Sequence, residues 1–137
     1  MFISVLLFFS VVLNQNGQNL IDLRTFEYKN RLVCIESNKK SEAIKQLSVF
    51  KHLEKENADR KLEFFVKIED KYFRGLDLQS VYFLKNFPKA KNKIDFAVIL
   101  IGLDGGVKNQ WFSQVKSQEI FQKIDAMPMR LGEIENR

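Results

Sequence analysis

Three places in this sequence hold residue types that could carry chemistry: a glycine turn, a lone cysteine and a lone histidine. Asp104-Gly105-Gly106 follows an apolar run and has the composition of a loop that binds phosphate or a metal ion. It lacks the Lys-Ser/Thr pair of a phosphate-binding loop, and a strand pattern follows it where such a loop needs a helix. Asp and Gly tolerate positive φ, so the sequence favours a hairpin turn.

Cys34 and His52 are each the single residue of their type. One cysteine excludes an intrachain disulfide, a CxxC pair and a cysteine-rich zinc site. Cys34 lies inside the apolar stretch "RLVCIE", so we expect a small buried side chain with a raised pKa; it is the one redox candidate. His52 is expected on a solvated helix surface, and one His cannot build a metal cluster. The sequence therefore predicts no catalytic residue, no cofactor and no metal ion, and an enzyme is the less favoured interpretation.

The formal charge of +5 comes from 22 Lys and Arg against 17 Asp and Glu. Lys and Glu are interspersed, which is typical of a soluble surface. A nucleic-acid-binding face needs clustered basic residues with aromatic residues between them. The closest match in this sequence is the group formed by Lys85, Phe87, Lys89, Lys91 and Lys93. A flexible connector explains these residues, so we expect no nucleic-acid partner.

The first 18 residues differ in kind from the rest of the sequence. Residues 2–13 are almost purely apolar, and no charged side chain appears before Asp22. The run is shorter than the ~20 residues that span a bilayer. It fits the apolar core of a secretory signal peptide, with cleavage expected within residues 14–19; a buried N-terminal strand is the alternative. We therefore predict a signal peptide (1–18), a domain (19–137), a periplasmic or secreted location, and no membrane span after removal of the signal.

The first half of the predicted domain alternates between strand and helix patterns. Residues 31–36 are apolar on both faces, which is typical of a central strand. Ser37 or Asn38 is expected to cap a helix that runs to about Asn57, because apolar residues recur along one stripe. That stripe consists of Ala43, Ile44, Leu47, Phe50 and Leu53. The stretch "KLEFFVKI" alternates at period two and predicts a second strand, with Phe65 as the exception.

The second half predicts a helix, a hairpin and a closing helix. Asp77 is a suitable N-cap for a helix over residues 78–86, which must stop before Pro88. Residues 94–101 form an apolar strand pattern, and residues 107–111 return after the glycine turn. A last helix is expected from Ser117 to about Met127, because Pro128 follows.

The predicted order β-α-β-α-β-β-α is the plan of the thioredoxin-like fold, an α/β three-layer sandwich with a mixed sheet of about four strands. In thioredoxin-like catalysts the reactive cysteine follows the first strand at the N-terminus of the first helix, where the helix dipole stabilises a thiolate. Residues 36–40 occupy that place here and include no cysteine. Thioredoxin-like catalysts also have a proline immediately before the third strand. In this sequence Ile94 at that position is flanked by Lys93 and Asp95. The sequence therefore argues against thioredoxin-like redox catalysis.

Two stretches, "LIGLDGGVK" and "IFQKIDAMPMRLGEIENR", closely resemble the C-terminal signature of the domain-of-unknown-function 4174 family. "YKNRLVCI" and "ADRKLEFFVKI" are similar to its first two strands, so the resemblance spans residues 20–133. The signature positions are Gly102, Asp104, Gly105, Gly106, Lys108, Ile124, Asp125, Met127, Pro128, Met129, Arg130 and Glu133. The resemblance implies a thioredoxin-like domain of exported bacterial proteins, found also in extracellular vertebrate proteins with sushi repeats or a coiled-coil label, with no established activity.

The signature tail admits two interpretations. Arg130 and the neighbouring methionines could form a recognition surface. Alternatively, Pro128 ends the helix, the methionines close the core and Arg130 pairs with Asp125 or Glu133, which we favour. The sequence thus predicts an exported, noncatalytic domain that binds an unidentified protein partner at the cell envelope. An atypical envelope redox or peroxide-defence protein is the main alternative, and a structural subunit of an envelope assembly is the third.

Overall fold

The chain forms eight strands and four α-helices over residues 20–91 and 95–137, the part that this computed structural model describes. The strands are β1 (Leu20–Asp22), β2 (Arg31–Ser37), β3 (Leu62–Ile68), β4 (Lys71–Arg74), β5 (Gln79–Val81), β6 (Phe83–Lys85), β7 (Phe96–Ile101) and β8 (Val107–Trp111). The α-helices are α1 (Lys40–Ser48), α2 (Glu54–Asp59), α3 (Ser117–Asp125) and α4 (Pro128–Glu135), and a 3₁₀ turn covers Leu23–Phe26. The predicted signal peptide lies outside the described residues.

Six strands form one mixed sheet in the order β5-β4-β3-β2-β7-β8, and β1 pairs in parallel with β6 in a separate two-stranded sheet. β2 and β3 are parallel and are joined by α1 and α2, whereas β2 is antiparallel to β7, and β7 to β8. The four strands β3-β2-β7-β8, with α1 and α3, have the order and directions of the thioredoxin-like fold. The predicted fold class is therefore confirmed, with six strands where about four were expected.

One face of the six-stranded sheet is covered by helices. Val33 and Ile35 of β2 point to this face, because side chains alternate along a strand. Buried residues of α1 and α3 meet them there: Ala43, Leu47, Ile120, Phe121 and Ile124. Each large apolar side chain buried in this way contributes roughly 1.5–3 kcal/mol to folding.

The opposite face is covered by β1, β6 and the 3₁₀ turn. Leu32 and Cys34 of β2 point to this side, together with Phe65 of β3, and all three are buried. Phe65, the exception in the alternating pattern, packs its ring 5.3 Å from that of Phe26 in the 3₁₀ turn. It therefore fills the second core.

The predicted helix over residues 78–86 is wrong, because this segment forms β5 and β6. Leu78 and Asn86, at its two ends, both have positive φ (52° and 63°), which a right-handed helix excludes. Val81 pairs with Tyr72 of β4, and Leu84 is buried beneath the sheet. Tertiary strand pairing overrides the local pattern here.

The predicted helix over residues 38–57 is also wrong in its length. It divides into α1 and α2, and His52 in the connection has a φ of 65°. The break lets Phe50 become completely buried, and the side-chain amide of Asn57 donates a hydrogen bond to its carbonyl oxygen at 3.1 Å. Lys39 occupies the N-cap position of α1, where Ser37 or Asn38 was expected.

The closing helix ends as predicted before Pro128, but a further helix follows it. α3 runs from Ser117 to Asp125 with Lys116 at its N-cap, and Pro128 begins α4 as its first residue. Proline is favoured at this first position because its missing N–H would have no helical acceptor. The signature tail is therefore a helix whose Arg130 is buried.

Candidate functional site

The glycine turn of the signature connects β7 to β8, so the predicted hairpin is confirmed. The Asp104 carboxylate accepts a hydrogen bond from the Gly106 N–H at 2.9 Å and pairs with Lys108 Nζ at 2.8 Å. The hydrogen bond from Lys108, with that from the Gly106 N–H, lowers the pKa of Asp104 below its ordinary value. The Asp104 carboxylate is thus committed to stabilising the turn.

Close approaches of other side chains favour glycine at two positions of this turn. Gly105 has a φ of 82°, and a Cβ atom there would lie 2.8 Å from the side chain of Glu27. A Cβ atom at Gly102 would overlap Cε of Lys108, because the lysine side chain crosses over it. Within the spacing Gly-x-Asp-Gly-Gly-x-Lys, the structure thus accounts for Gly102 and Gly105 by packing and for Asp104 and Lys108 by their ion pair.

The second half of the signature forms an ion-pair network at one end of the sheet. Arg130 donates through Nε to Asp125 at 3.0 Å and through Nη2 to Asp59 at 2.6 Å. Its Nη1 donates to the Asp59 carbonyl at 2.9 Å and lies 3.7 Å from Glu133. Arg130 is buried, so this guanidinium ties α4 to the end of α2. The structure thus pairs Arg130 with both residues that the favoured interpretation named.

Two further arginines extend this network. Arg60 donates through both Nε and Nη2 to Asp125, at 3.1 and 2.8 Å, and its guanidinium stacks 4.2 Å from the ring of Phe121. Burial raises the pKa of Asp125, but hydrogen bonds from Arg60 and Arg130 outweigh this effect and lower it overall. Arg31 donates through Nη1 to Glu133 at 2.9 Å and to the Arg60 carbonyl at 3.1 Å.

Arg31 is the residue that the sequence analysis missed. It opens the apolar strand β2 and is only 1% exposed. The signal was present, because Arg31 shares its parity with Val33 and Ile35 and must therefore point to the helix-covered face. A cation at a core-facing position of a central strand requires compensating partners. Of the three guanidinium nitrogens, Nη1 has hydrogen-bond acceptors. Nε and Nη2 are buried and meet no acceptor in residues 20–91 and 95–137.

The two halves of the signature meet around one cavity of about 230 Å³, which we call the Arg31 cavity. Its lining residues are Arg31, Leu103, Asp104, Lys108, Met127, Pro128 and Met129. Met127 also packs against the helix-side core, whereas Met129 is 45% exposed. The expected closing of the core by both methionines therefore holds for Met127 alone. Further signature residues belong to the turn or to the ion-pair network and are not among the lining residues of the cavity: Gly102, Gly105, Gly106, Asp125, Arg130 and Glu133.

The remaining candidates from the sequence lie apart from this cavity. Cys34 is fully buried in the middle of β2, on the opposite face of the sheet, and burial raises the pKa of its thiol. His52 is exposed in the connection between α1 and α2. Lys89 and Lys91 line a surface groove with Phe87, while Lys93 lies outside the described residues.

Two features are absent from the described ranges 20–91 and 95–137. No group of three or more His, Cys, Asp or Glu side chains there is arranged to hold a metal ion. No helix in the same ranges is long and apolar enough to cross a membrane.

Comparison with known proteins gives a family and a distant structural likeness. The family model described as "Domain of unknown function (DUF4174)" matches residues 22–133. No curated protein matches the sequence. The crystal structure of the reduced 2-Cys peroxiredoxin of Plasmodium vivax is similar over 84% of this chain and 85% of that one, with 16% sequence identity and a TM-score of 0.46.

Proposed function

Since the chain belongs to the DUF4174 family, we propose that it is an exported, noncatalytic binding domain built on a thioredoxin-like fold. The observation that carries the noncatalytic part is the position of the chain's only thiol. Cys34 is fully buried between the sheet and the β1–β6 layer, and burial raises its pKa. A nucleophilic cysteine must be an accessible thiolate, and Cys34 meets neither condition.

The place of the reactive cysteine in thioredoxin-like catalysts is occupied here by a structural turn. Ser37 ends β2, and its hydroxyl bonds both the N–H and the carbonyl oxygen of Lys39, at 3.0 and 2.8 Å. The side chain of Asn38 donates to Asp95 at 3.1 Å. These hydrogen bonds fix the start of α1, and no base in contact with Ser37 Oγ is found among residues 20–91 and 95–137.

The binding part of the proposal is supported by the convergence of the signature. Residues from the β7–β8 turn and from the start of α4 are separated by about twenty positions, yet they line the Arg31 cavity together. The cavity combines apolar walls with a few charged groups, which is the usual character of a ligand site. The export part is supported by the apolar run at residues 2–13.

Thiol reactivity tests the noncatalytic assignment. We expect Cys34 in the native protein to resist maleimide and hydrogen peroxide over hours, and to react fully with maleimide in denaturant, as read by intact-mass spectrometry. Cys34→Ala is the matched control, because it should add no mass under either condition. Reaction of native Cys34 at the rate of a small thiolate would overturn the proposal in favour of an atypical redox or peroxide-defence protein.

Export is tested separately by the mass of the protein recovered from the producing cells. We expect the periplasmic or secreted fraction to contain a chain that begins within residues 15–20, after cleavage in residues 14–19. Recovery of the uncleaved chain from the cytoplasm alone would refute export and leave the noncatalytic assignment to the thiol experiment.

A further inference from the structure

We propose that the Arg31 cavity binds a carboxylate group carried on a small apolar body, and that Arg31 holds this carboxylate through Nε and Nη2. The inference rests on the binding role proposed above and gives that role a site and a ligand class. It is drawn from one unmatched edge of the buried Arg31 guanidinium, from the neighbouring arginines, and from the cavity that is lined by other atoms of Arg31 and beneath whose surface this edge lies.

The unmatched edge has a defined geometry. Nε–H and one N–H of Nη2 point in the same direction in any arginine, so together they offer two parallel donors to one planar acceptor. In Arg31 both nitrogens are buried, and neither meets an acceptor in the described ranges 20–91 and 95–137. A buried charged donor without an acceptor destabilises the protein. An acceptor supplied by a ligand would remove this cost.

The neighbouring arginines show which group fits such an edge in this protein. Arg60 presents its Nε and Nη2 to the two carboxylate oxygens of Asp125, at 3.1 and 2.8 Å. Arg130 uses Nε for Asp125 and Nη2 for Asp59. Of these three arginines in one network, Arg31 alone has this edge unpaired. The missing partner is therefore inferred to be a carboxylate.

The charge of the network favours an anion over a cation. Its five basic side chains are Arg31, Arg60, Lys61, Arg130 and Arg137. Within residues 20–91 and 95–137, three carboxylates pair with these basic groups: Asp59, Asp125 and Glu133. At the cavity mouth Lys108 is neutralised by Asp104. A bound carboxylate would reduce the excess of positive charge, whereas a cation would add to it.

The size and walls of the cavity define the rest of the ligand. A volume of about 230 Å³ equals that of roughly eight water molecules in the liquid at about 30 Å³ each. Leu103, Met127, Pro128 and Met129 supply apolar walls. The carboxylate should therefore carry a compact aliphatic or aromatic group. A free monocarboxylic acid and the C-terminal residue of a peptide share this chemistry.

Access to Arg31 requires a side-chain movement, because its Nε and Nη2 are closed to solvent. Met127 and Met129 have unbranched side chains that change rotamer readily. Met129 is half-exposed at the start of α4, so it can move without disturbing the ion-pair network. Ligand binding should thus perturb the beginning of α4 more than the distant β1–β6 layer.

The experiment measures binding of benzoate and isobutyrate to the purified protein by calorimetry and by amide chemical shifts. Benzamide and isobutyramide are the matched neutral probes, and acetyl-Ala-Phe with a free or an amidated C-terminus represents a peptide end. We expect saturable binding of the carboxylates, at least about tenfold weaker binding of each amide, and shifts at Met129 and Arg130. Tighter binding of the free-ended peptide identifies a protein chain end as the source, and tighter binding of benzoate or isobutyrate identifies a small acid.

Three variants locate the binding. Arg31→Lys keeps the positive charge beside Glu133 but removes the paired donors, so the affinity should fall at least about tenfold. Met129→Trp fills the cavity from an exposed position, so it should lower the affinity to the same extent while the protein remains folded. Leu131 lies on α4 at a comparably exposed position that does not line the cavity. The Leu131→Ala protein should therefore bind the carboxylates with unchanged affinity.

Absence of saturable carboxylate binding, equal binding of the amides, or equal binding by Met129→Trp would each overturn the proposal. If Arg31→Lys does not fold, Met129→Trp decides the question alone. The maleimide reactivity of the same samples reports separately on the proposed function. An inert Cys34 without carboxylate binding refutes the site only, whereas a reactive Cys34 with carboxylate binding refutes the noncatalytic role and leaves the site.

Discussion

Replacement of Arg130 by alanine would remove the residue that joins α4 to the rest of the domain. The Arg130 side chain is 3% exposed and contacts Asp59 and Asp125 through three donor–acceptor pairs of 2.6 to 3.0 Å. One of the three acceptors is the backbone carbonyl oxygen of Asp59. Arg130→Ala leaves the Asp59 carbonyl without this donor. It also removes a cation that pairs with both carboxylates at once.

The expected loss of stability is smaller than for an isolated buried ion pair. Removal of one partner of a buried pair costs about 3–5 kcal/mol. Here Asp125 keeps Arg60 and Asp59 keeps Arg137, and the two carboxylate side chains are 36% and 42% exposed. Water and the second arginine therefore compensate part of the loss. We expect Arg130→Ala to lower the free energy of unfolding by about 2–3 kcal/mol, or the Tm by about 10 °C.

Urea unfolding followed by circular dichroism at pH 7 measures this loss, and Arg137→Ala is the matched control. Arg137 also pairs with Asp59, but its side chain is 55% exposed, so its removal should cost at most about 0.5 kcal/mol. An Arg130→Ala protein that unfolds at the wild-type urea concentration would refute the structural role of the network. In that case the tail would have to be a recognition surface, the interpretation that we set aside.

Two further perturbations test the turn and the network. Gly105→Ala should lower the free energy of unfolding by about 2 kcal/mol, because alanine disfavours the positive φ and its Cβ would approach Glu27. Gly75 has a similar φ but open space around it, so the control Gly75→Ala should lower it by about 1 kcal/mol. Equal losses in urea unfolding would exclude the packing contribution. Acidification should also destabilise the protein. A hydrogen bond from Arg130 holds the pKa of Asp59 below its ordinary value of 3.8. Burial raises the pKa of Asp125, but hydrogen bonds from Arg60 and Arg130 lower it overall below the same value. The unfolded chain therefore takes up these protons first, so stability is retained above about pH 5 and lost as the pH falls through 3.8 towards the folded-state values. An Arg130→Ala protein with the wild-type loss between pH 5 and 3 would contradict this assignment.

The sequence predicted the elements whose pattern is decided by the core, and it failed where tertiary pairing decides. β2, β3 and the β7–β8 hairpin were recognisable because apolar residues alternate or run unbroken in a strand buried on both faces. The segment over residues 78–86 has no such pattern. Its strands exist because Val81 meets Tyr72 and Leu84 lies over the second core, and neither contact is local.

The candidate site was predicted only in part, for a similar reason. The signature residues are recognisable in both stretches of the sequence, but their convergence depends on α4. Pro128 predicts the end of the preceding helix, and the sequence pattern does not show that it also begins α4. Arg31 begins a strand pattern that is otherwise apolar, and the sequence alone does not show which partners its charge meets. Its role became visible only when the fold placed Glu133, more than a hundred positions away, against Nη1.

The β1–β6 layer explains how a thioredoxin-like sheet has room for a buried cysteine. In the predicted plan a second helix would cover the face to which Cys34 points; here β1, β6 and the 3₁₀ turn cover it instead. Leu23 and Leu84 from this layer are buried in the same cluster as Cys34, which makes the thiol part of an apolar core. The ion pairs of Arg31, Arg60, Arg130 and Lys108 lie elsewhere, around α4 and the β7–β8 turn. The Arg31 cavity, where we propose that recognition takes place, is therefore separate from the buried cysteine.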